Sequence, residues 1–153
     1  MTTALICVRG YRVAALLDAA ANALSSDLTW IVLHVVDTRP LHEVDRALGG
    51  LPVHGPGRHR VEDRLQRAAQ EQDDAVKAEV AAWLHARGRD AEVVVSHGRP
   101  EQEILRLADA RGIDLIALGS EHPGVGPHPL SPPVRFLIDH AKCDVLLLRR
   151  YAT

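Results

Sequence analysis

VVSHGRPEQEILRLADARGIDLIALGS, residues 94–120, contains a complete unit of strand, helix and strand. The stretch begins and ends with an apolar run, and the second run is DLIALG. Both runs are short and nearly continuous, which is typical of parallel strands covered on both faces. Between them lies a helix with one apolar face. It has Pro100 in its first turn and ends at Gly112, which acts as a C-terminal cap. This order predicts a right-handed crossover between two parallel strands.

The same unit recurs along the chain. Five apolar runs lie at residues 4–8, 30–36, 91–96, 114–119 and 144–148. Segments with helical spacing of apolar residues separate them, among them a long one with Val61, Leu65, Ala68, Ala69, Val76, Val80, Trp83 and Leu84 and a last one with Val134, Leu137, Ile138 and Ala141. The alternation predicts an α/β fold, with a doubly wound parallel sheet and helices on both faces. Ligands of such sheets bind beyond the carboxyl ends of the strands.

Length and composition exclude several classes of protein. A chain of 153 residues predicts one domain, 1–153. A net charge of −2 with 25% charged residues argues against a nucleic-acid partner. The first apolar run is too short for a signal peptide or a membrane span, so we expect a cytoplasmic protein without a membrane partner. Cys7 and Cys143 each adjoin an apolar run, so we expect reduced thiols that lie apart, and no metal site.

Residues 38–60 interrupt the pattern. Seven glycines and prolines fall in this segment, which predicts a flexible insertion. A loop that leaves the carboxyl end of the second strand can close over a ligand, or it can be a tolerated insertion at the surface. The sequence leaves both interpretations open.

The whole chain resembles a known family in four segments: LICVRGYRVAALLDAAANAL (5–24), IVLHVVDTRP (31–40), the stretch quoted first, and PPVRFLIDHAKCDVLLLRR (132–150). In order and spacing they resemble a single-domain universal stress protein of the UspA type. The resemblance implies an open five-stranded parallel sheet of the Rossmann-like, adenine nucleotide alpha hydrolase-like kind. It also implies a homodimer joined through the last strand, with Val145, Leu146, Leu147 and Leu148 as candidate interface residues.

Many members of that family bind nucleotides through the signature G-x-x-G, nine residues, then G-[ST]. Here Gly119 and Ser120 match, but the second glycine falls on His122, and the closing pair aligns with Ser131 and Pro132. His122 adopts a positive φ less readily than glycine, and Pro132 has no N–H to donate to a phosphate. Ser131 followed by Pro132 is also an ordinary start for a helix. We therefore expect a degenerate ATP-binding loop.

The end of the first strand departs from the family as well. Nucleotide-binding members carry an aspartate that helps to hold the nucleoside, and Arg9 stands at that position. An arginine donates to anions instead, or is simply solvated at a strand end. The cofactor expected here is ATP or another adenine nucleotide, bound weakly, or else a small anionic ligand. The candidate binding residues are Val8, Arg9, Gly10, Val36, Gly98, Gly119, Ser120, His122, Gly124, Gly126 and Ser131.

The remaining polar residues do not suggest catalysis. His97, His122 and His128 lie near the expected crevice without a partner carboxylate, and His34 fits a core histidine with a local partner. No nucleophile elbow with a serine, histidine and acid occurs, so we expect no catalytic residues. The sequence favours a non-enzymatic stress-response or regulatory module. The alternative is a sensor that binds ATP, AMP or a cyclic nucleotide through the altered loop 119–132.

Overall fold

A computed structural model of the chain describes residues 2–10, 12–37, 56–119 and 132–149. Strands and helices alternate through these residues. The strands are β1 (Thr3–Val8), β2 (Thr29–Asp37), β3 (Glu92–Gly98), β4 (Leu115–Gly119) and β5 (Asp144–Leu148). The helices are α1 (Val13–Ala23), α2 (Pro56–Arg87), α3 (Pro100–Arg111) and α4 (Pro132–His140). The five predicted strands and the helices between them are confirmed.

The strands form one parallel sheet in the order β3-β2-β1-β4-β5. From the central strand β1 the chain winds outward to β2 and β3, and it then returns to the other side of β1 for β4 and β5. The direction of winding therefore reverses between β1 and β4. In sheets of this kind the reversal opens a crevice at the carboxyl ends of the central strands.

Two apolar layers cover the sheet. Along each strand, alternate side chains point to opposite faces. Ile6 and Val32 pack on the face that α1 and α2 cover, and Leu5 and Leu33 pack on the face covered by α3 and α4. These four side chains are fully buried. Burial on both faces explains why the strands have continuous apolar runs and not an alternation of apolar and polar residues.

Aromatic packing fixes the C-terminal half of α2. The rings of Trp30 on β2 and Trp83 on α2 stack with centroids 5.8 Å apart and an angle of 8° between their planes. The guanidinium carbon of Arg89 lies 3.8 Å from the centroid of Trp30. Trp83 Nε1 donates a 2.9 Å hydrogen bond to Asp18 Oδ1 on α1. These contacts hold α2 against both β2 and α1.

The structure corrects three details of the sequence-based interpretation. Helix α2 begins at Pro56, inside the segment 38–60 that was assigned to a flexible insertion, and residues 38–55 lie outside the described residues. Val61 and Ile138 were placed on buried helix faces, but they are 37% and 44% exposed. Ile138 is on α4, whose buried side chains are Val134 and Leu137.

The two cysteines are not joined by a disulfide in this structure. Cys7 is buried near the carboxyl end of β1, while Cys143 is partly buried just before β5 begins. Because the strands are parallel, these positions fall toward opposite ends of the sheet.

Candidate functional site

A cleft of about 510 Å³ lies at the carboxyl ends of β1 and β2. Helix α2 forms one side of it, and the N-terminal parts of α3 and α4 form the other. Its described lining includes Cys7, Val8, Arg9, Gly10, Leu33, His34, Val35, Val36, Asp37, Ala68, Ala69, Gln72, Asp73, Pro100, Ile104, Leu118, Pro133, Val134 and Leu137. The cleft is therefore where the sheet topology predicts a ligand site.

One wall of the cleft is apolar. Leu118 comes from β4, Ile104 from α3, and Val134 and Leu137 from α4. All four side chains belong to the same buried cluster, which fixes their positions. Such a wall suits the flat or apolar body of a small molecule.

Helix α2 closes the opposite side by approaching the chain just after β1. The side chain of Gln72 lies against Gly10 so closely that a Cβ at this glycine would clash with the Gln72 amide. Gly10 is exposed and both residues line the cleft. The absence of a side chain at Gly10 therefore leaves room for the amide of Gln72 at this corner of the site.

The deepest polar group of the cleft is the carboxylate of Asp73. This residue is only 4% exposed, and it faces two imidazole rings. Oδ1 lies 3.5 Å from Nε2 of His34, and Oδ2 lies 3.6 Å from Nε2 of His97. His34 is buried as well, whereas the side chain of His97 is 60% exposed. A charged group is thus placed inside the wall of the site with histidines on both sides.

His34 has an acceptor at each of its ring nitrogens. Its Nδ1 lies 3.4 Å from the carbonyl oxygen of Val8, and its Nε2 faces Asp73. A carbonyl and a carboxylate both accept hydrogen bonds, and a neutral imidazole has only one N–H. His34 connects Asp73 to the end of β1, where the cleft begins.

Arg9 supplies a positive charge at the same end of β1. It is partly buried, and it lines the cleft directly after the last residue of the strand. Nearby, burial raises the pKa of the Cys7 thiol to about 12, and the charge of Arg9 offsets this only in part. Cys7 is therefore a neutral thiol at physiological pH and a poor nucleophile. The chemistry of these two residues suits the binding of an anion and not covalent catalysis.

The structure brings part of the predicted site together. Val8, Arg9, Gly10 and Val36 all line the cleft. The other predicted residues in the described part of the chain are two glycines at strand ends. Gly119 is buried at the end of β4 opposite Leu148. Ser120, His122, Gly124, Gly126 and Ser131 lie outside the described residues, as does His128.

Gly98 has a conformational role at the end of β3. Its φ of +146° is one that residues with a side chain rarely adopt, and a Cβ there would lie 3.1 Å from Cγ of Glu103. In the sheet it stands opposite Asp37, which lines the cleft. Gly98 thus allows the sharp turn into α3 at the border of the site.

Sequence reasoning missed the contribution of α2. Gln72 and Asp73 were not among the predicted residues, and His34 was expected only as a core residue. His34 is indeed buried with local partners, but it also lines the cleft. A signal for Asp73 exists, because it follows Ala69 by four residues and precedes Val76 by three. It is therefore an acid on the apolar face of the helix.

The arrangement can bind a small molecule that has an apolar body and polar groups at its ends. Arg9 provides a donor for an anionic group, and Asp73 provides an acceptor. Within residues 2–10, 12–37, 56–119 and 132–149, no group of three or more histidine, cysteine, aspartate or glutamate side chains is arranged to hold a metal ion. In the same ranges, no helix has the length and apolar character needed to cross a membrane.

An open parallel sheet with a cleft beyond its central strands places the protein in the class of doubly wound α/β folds. The model of the Universal stress protein family matches residues 10–149 of this sequence. The chain therefore belongs to the universal stress protein family, as the sequence motifs predicted.

Solved structures agree with this fold. The universal stress protein UspA from Lactobacillus plantarum is 24% identical, with a TM-score of 0.69 over 97% of each chain. A universal stress protein family protein from Arabidopsis thaliana with AMP bound is 15% identical, with a TM-score of 0.62 over 97% of this chain and 92% of that one.

A third similar structure is the universal stress protein from Archaeoglobus fulgidus in complex with dAMP. It is 17% identical, with a TM-score of 0.53 over 97% of this chain and 98% of that one. No curated protein sequence matches this chain.

Proposed function

We propose that this protein is a non-enzymatic stress-response or regulatory module that acts in the cytoplasm as a homodimer. Its cleft binds a small adenine-containing or other anionic ligand, and it holds ATP only weakly. The observation that carries the proposal is the cleft itself, which combines an apolar wall with Arg9 at the end of β1. Its volume of about 510 Å³ falls in the range of small-molecule sites, roughly 300–1,000 Å³.

Two proteins of similar fold support the class of ligand. One is an Arabidopsis structure with AMP bound, and the other is an Archaeoglobus complex with dAMP. Both ligands carry an adenine base and a single phosphate group. The apolar wall of this cleft suits the base, and Arg9 suits the phosphate.

Three substitutions relative to the family signature support weak binding of ATP. Arg9 replaces an acid that accepts from the nucleoside, His122 replaces a glycine, and Pro132 removes an amide donor. Hydrogen bonds to charged groups contribute about 1.5–3 kcal/mol each, so the loss of two weakens binding more than about a hundredfold. We expect a dissociation constant for ATP with magnesium weaker than about 100 µM.

The groups in the cleft support a role without catalysis. Cys7 is a neutral thiol at physiological pH because burial raises its pKa to about 12. Asp73 and His34 face each other, yet no serine or threonine is among the described residues of the cleft for such a pair to activate. Binding without reaction is therefore the simplest use of this site.

Titration calorimetry with ATP and magnesium, and separately with AMP, tests the proposal. We expect weak binding of ATP, and weaker binding of both nucleotides in Arg9→Ala. Arg135→Ala, a substitution of an exposed arginine on α4, is the matched control and should bind as the wild type does. Loss of anion binding in both variants alike would contradict the role of Arg9.

A nucleotide sensor is the second candidate, and the preformed cleft favours it. A sensor needs occupancy that changes with the cellular nucleotide concentration. ATP that binds at low micromolar concentration, or that copurifies with the protein one to one, would support this candidate and would contradict a degenerate loop. Mass spectrometry of small molecules released from the gently denatured protein identifies the copurified ligand directly.

The homodimer is proposed from the position of β5. This strand lies at the edge of the sheet, next to β4. Val145, Leu146 and Leu147 are only partly buried there, while Leu148 is 6% exposed. Apolar edge strands invite pairing with a second chain.

Light scattering tests this arrangement. We expect twice the chain mass of 16.7 kDa, and a shift toward the monomer in Leu147→Lys. A monomer at micromolar concentration that Leu147→Lys leaves unchanged would contradict it.

A further inference from the structure

Asp73 is a charged side chain in an unusual position. It lies on the apolar face of α2 and is only 4% exposed, yet it lines the cleft. Carboxylates are seldom buried unless other groups compensate for the loss of water. Its surroundings therefore indicate whether the protein already satisfies this group or leaves it available to a ligand.

The partners of Asp73 among residues 2–10, 12–37, 56–119 and 132–149 satisfy it only in part. The nearest imidazole nitrogens, Nε2 of His34 and Nε2 of His97, lie at 3.5 and 3.6 Å from the two carboxylate oxygens. Ordinary N–H···O hydrogen bonds measure about 2.7–3.2 Å, so both contacts are long. A carboxylate offers roughly four acceptor positions, and two imidazoles occupy two of them at most. The group retains acceptor capacity, and the cleft is the direction from which a donor can approach.

The two histidines also orient the carboxylate. His34 is fixed by its contact with the carbonyl of Val8, and it holds one oxygen of Asp73 from the sheet side. His97 faces the other oxygen from β3. An acceptor held on two sides is preorganised, so a ligand does not need to order it on binding.

Arg9 places a positively charged hydrogen-bond donor in the same cleft as the acceptor Asp73. It lines the cleft at the end of β1, whereas Asp73 comes from α2. A ligand that satisfies both has an anionic end for the arginine and an N–H donor for the carboxylate. An acceptor placed against Asp73 is excluded, because two acceptors repel and the buried carboxylate stays unsatisfied.

We propose that Asp73 is the specificity-determining residue of the cleft and selects ligands whose base carries an amino group. The inference rests on the proposed function, namely that the cleft takes an adenine nucleotide. The exocyclic amine of adenine is the donor that the carboxylate accepts, and the phosphate lies toward Arg9. A nucleotide of the same shape without this amine binds less tightly, since nothing replaces the donor.

A matched pair of nucleotides tests the inference on the wild-type protein. The probes are AMP and purine riboside monophosphate, which is AMP without its amino group. Titration calorimetry or ligand-observed NMR gives the two dissociation constants. We expect AMP to bind about tenfold to a hundredfold more tightly, which is the effect of one hydrogen bond to a buried charge. Equal affinities would overturn the inference while leaving the cleft as a nucleotide site.

Asp73→Asn locates the selectivity, because it keeps the shape but leaves one uncharged amide oxygen, a weaker acceptor than the carboxylate. The ratio of the two dissociation constants should fall in this variant. Asp74→Asn is the control, since Asp74 is the exposed neighbour on the same helix and accepts from Gln70. It should keep the wild-type ratio.

The ratio separates a role in selection from a role in folding. A purely structural role of Asp73 would weaken both nucleotides equally in Asp73→Asn and leave the ratio unchanged, which would overturn the inference. A wild-type protein that binds neither nucleotide at millimolar concentration would instead overturn the proposed function, and the inference with it.

Discussion

The distances between polar groups and their partners differ between the amino end and the carboxyl end of the sheet. At the amino end, Asp114 Oδ2 accepts a 2.8 Å hydrogen bond from the amide of Thr3. There, Arg111 and Glu92 also form a two-point contact, with both distances 2.8 Å. At the carboxyl end, the contacts of His34 with Val8 and Asp73 measure 3.4 and 3.5 Å.

The difference separates structure from function. At the amino end, Thr3, Asp114, Arg111 and Glu92 have partners at ordinary hydrogen-bond distance, whereas the Trp30 indole N–H is buried without a partner among the described residues. At the carboxyl end, the longer contacts around His34 and Asp73 leave acceptor and donor capacity that a ligand can use. Binding sites commonly retain such unsatisfied groups at some cost in stability.

The largest effect is expected at the carboxyl end. His34→Leu removes one of the two imidazoles that face the buried Asp73 carboxylate, and leaving a buried carboxylate without this partner costs about 3 kcal/mol. The double variant His34→Leu with Asp73→Leu should recover most of this loss, because an apolar pair needs no compensation. Urea denaturation at pH 7 measures both. A single variant as stable as the wild type would show that the pair contributes little to the folded state.

A smaller effect is expected at the amino end. Asp114→Ala removes the acceptor of the Thr3 amide, and the loss of one exposed hydrogen bond costs about 1 kcal/mol. Asp114→Asn keeps an acceptor oxygen and is the matched control. Because this end lies far from the cleft, AMP affinity should be unchanged in both variants. An altered affinity would show that the amino end of the sheet affects ligand binding, which would contradict its purely structural role.

The smallest effect concerns acid stability near Gly98. Hydrogen bonds from Arg106 and then Ser96 lower the pKa of Glu103. Ionised Glu103 therefore stabilises the fold above its unfolded pKa of about 4.3, and this contribution is lost as the pH falls through the lower folded value.

Thermal denaturation between pH 6 and pH 3 should show a weaker pH dependence in Glu103→Gln than in the wild type. At the amino end, a hydrogen bond from Arg111 lowers the pKa of Glu92, whose side chain is about half exposed, so Glu92→Gln should change the profile less. Identical profiles for the wild type and Glu103→Gln would contradict the shifted pKa.

Local pattern was sufficient to predict the elements of the fold. Each strand begins and ends within two residues of its apolar run, because burial on both faces imposes continuous apolar sequence. Helix α3 begins at Pro100, and Gly112 caps it with a φ of +60°, as their residue types predicted. These features depend on residues that are neighbours in sequence, so the sequence alone is enough to predict them.

The site was only partly predictable, because it depends on contacts between distant segments. Val8 ends the first strand and Arg9 and Gly10 follow it, so parallel topology alone places them in the cleft. Asp73 meets His34 only because α2 docks at one particular height on the sheet. Periodicity identifies the face of a helix that packs, but not which strand residue each position meets.

The stacked tryptophans have a consequence for spectroscopy. Trp30 and Trp83 are the only tryptophans in the chain, and their nearly parallel rings report one contact, that of α2 with β2. Asp73 lies ten residues earlier on the same helix, about 15 Å away along its axis. Intrinsic emission and the near-UV circular dichroism of this pair therefore follow the docking of α2 from a point outside the cleft. An optical signal that changes when a nucleotide is added records movement of the helix and not direct quenching by the base.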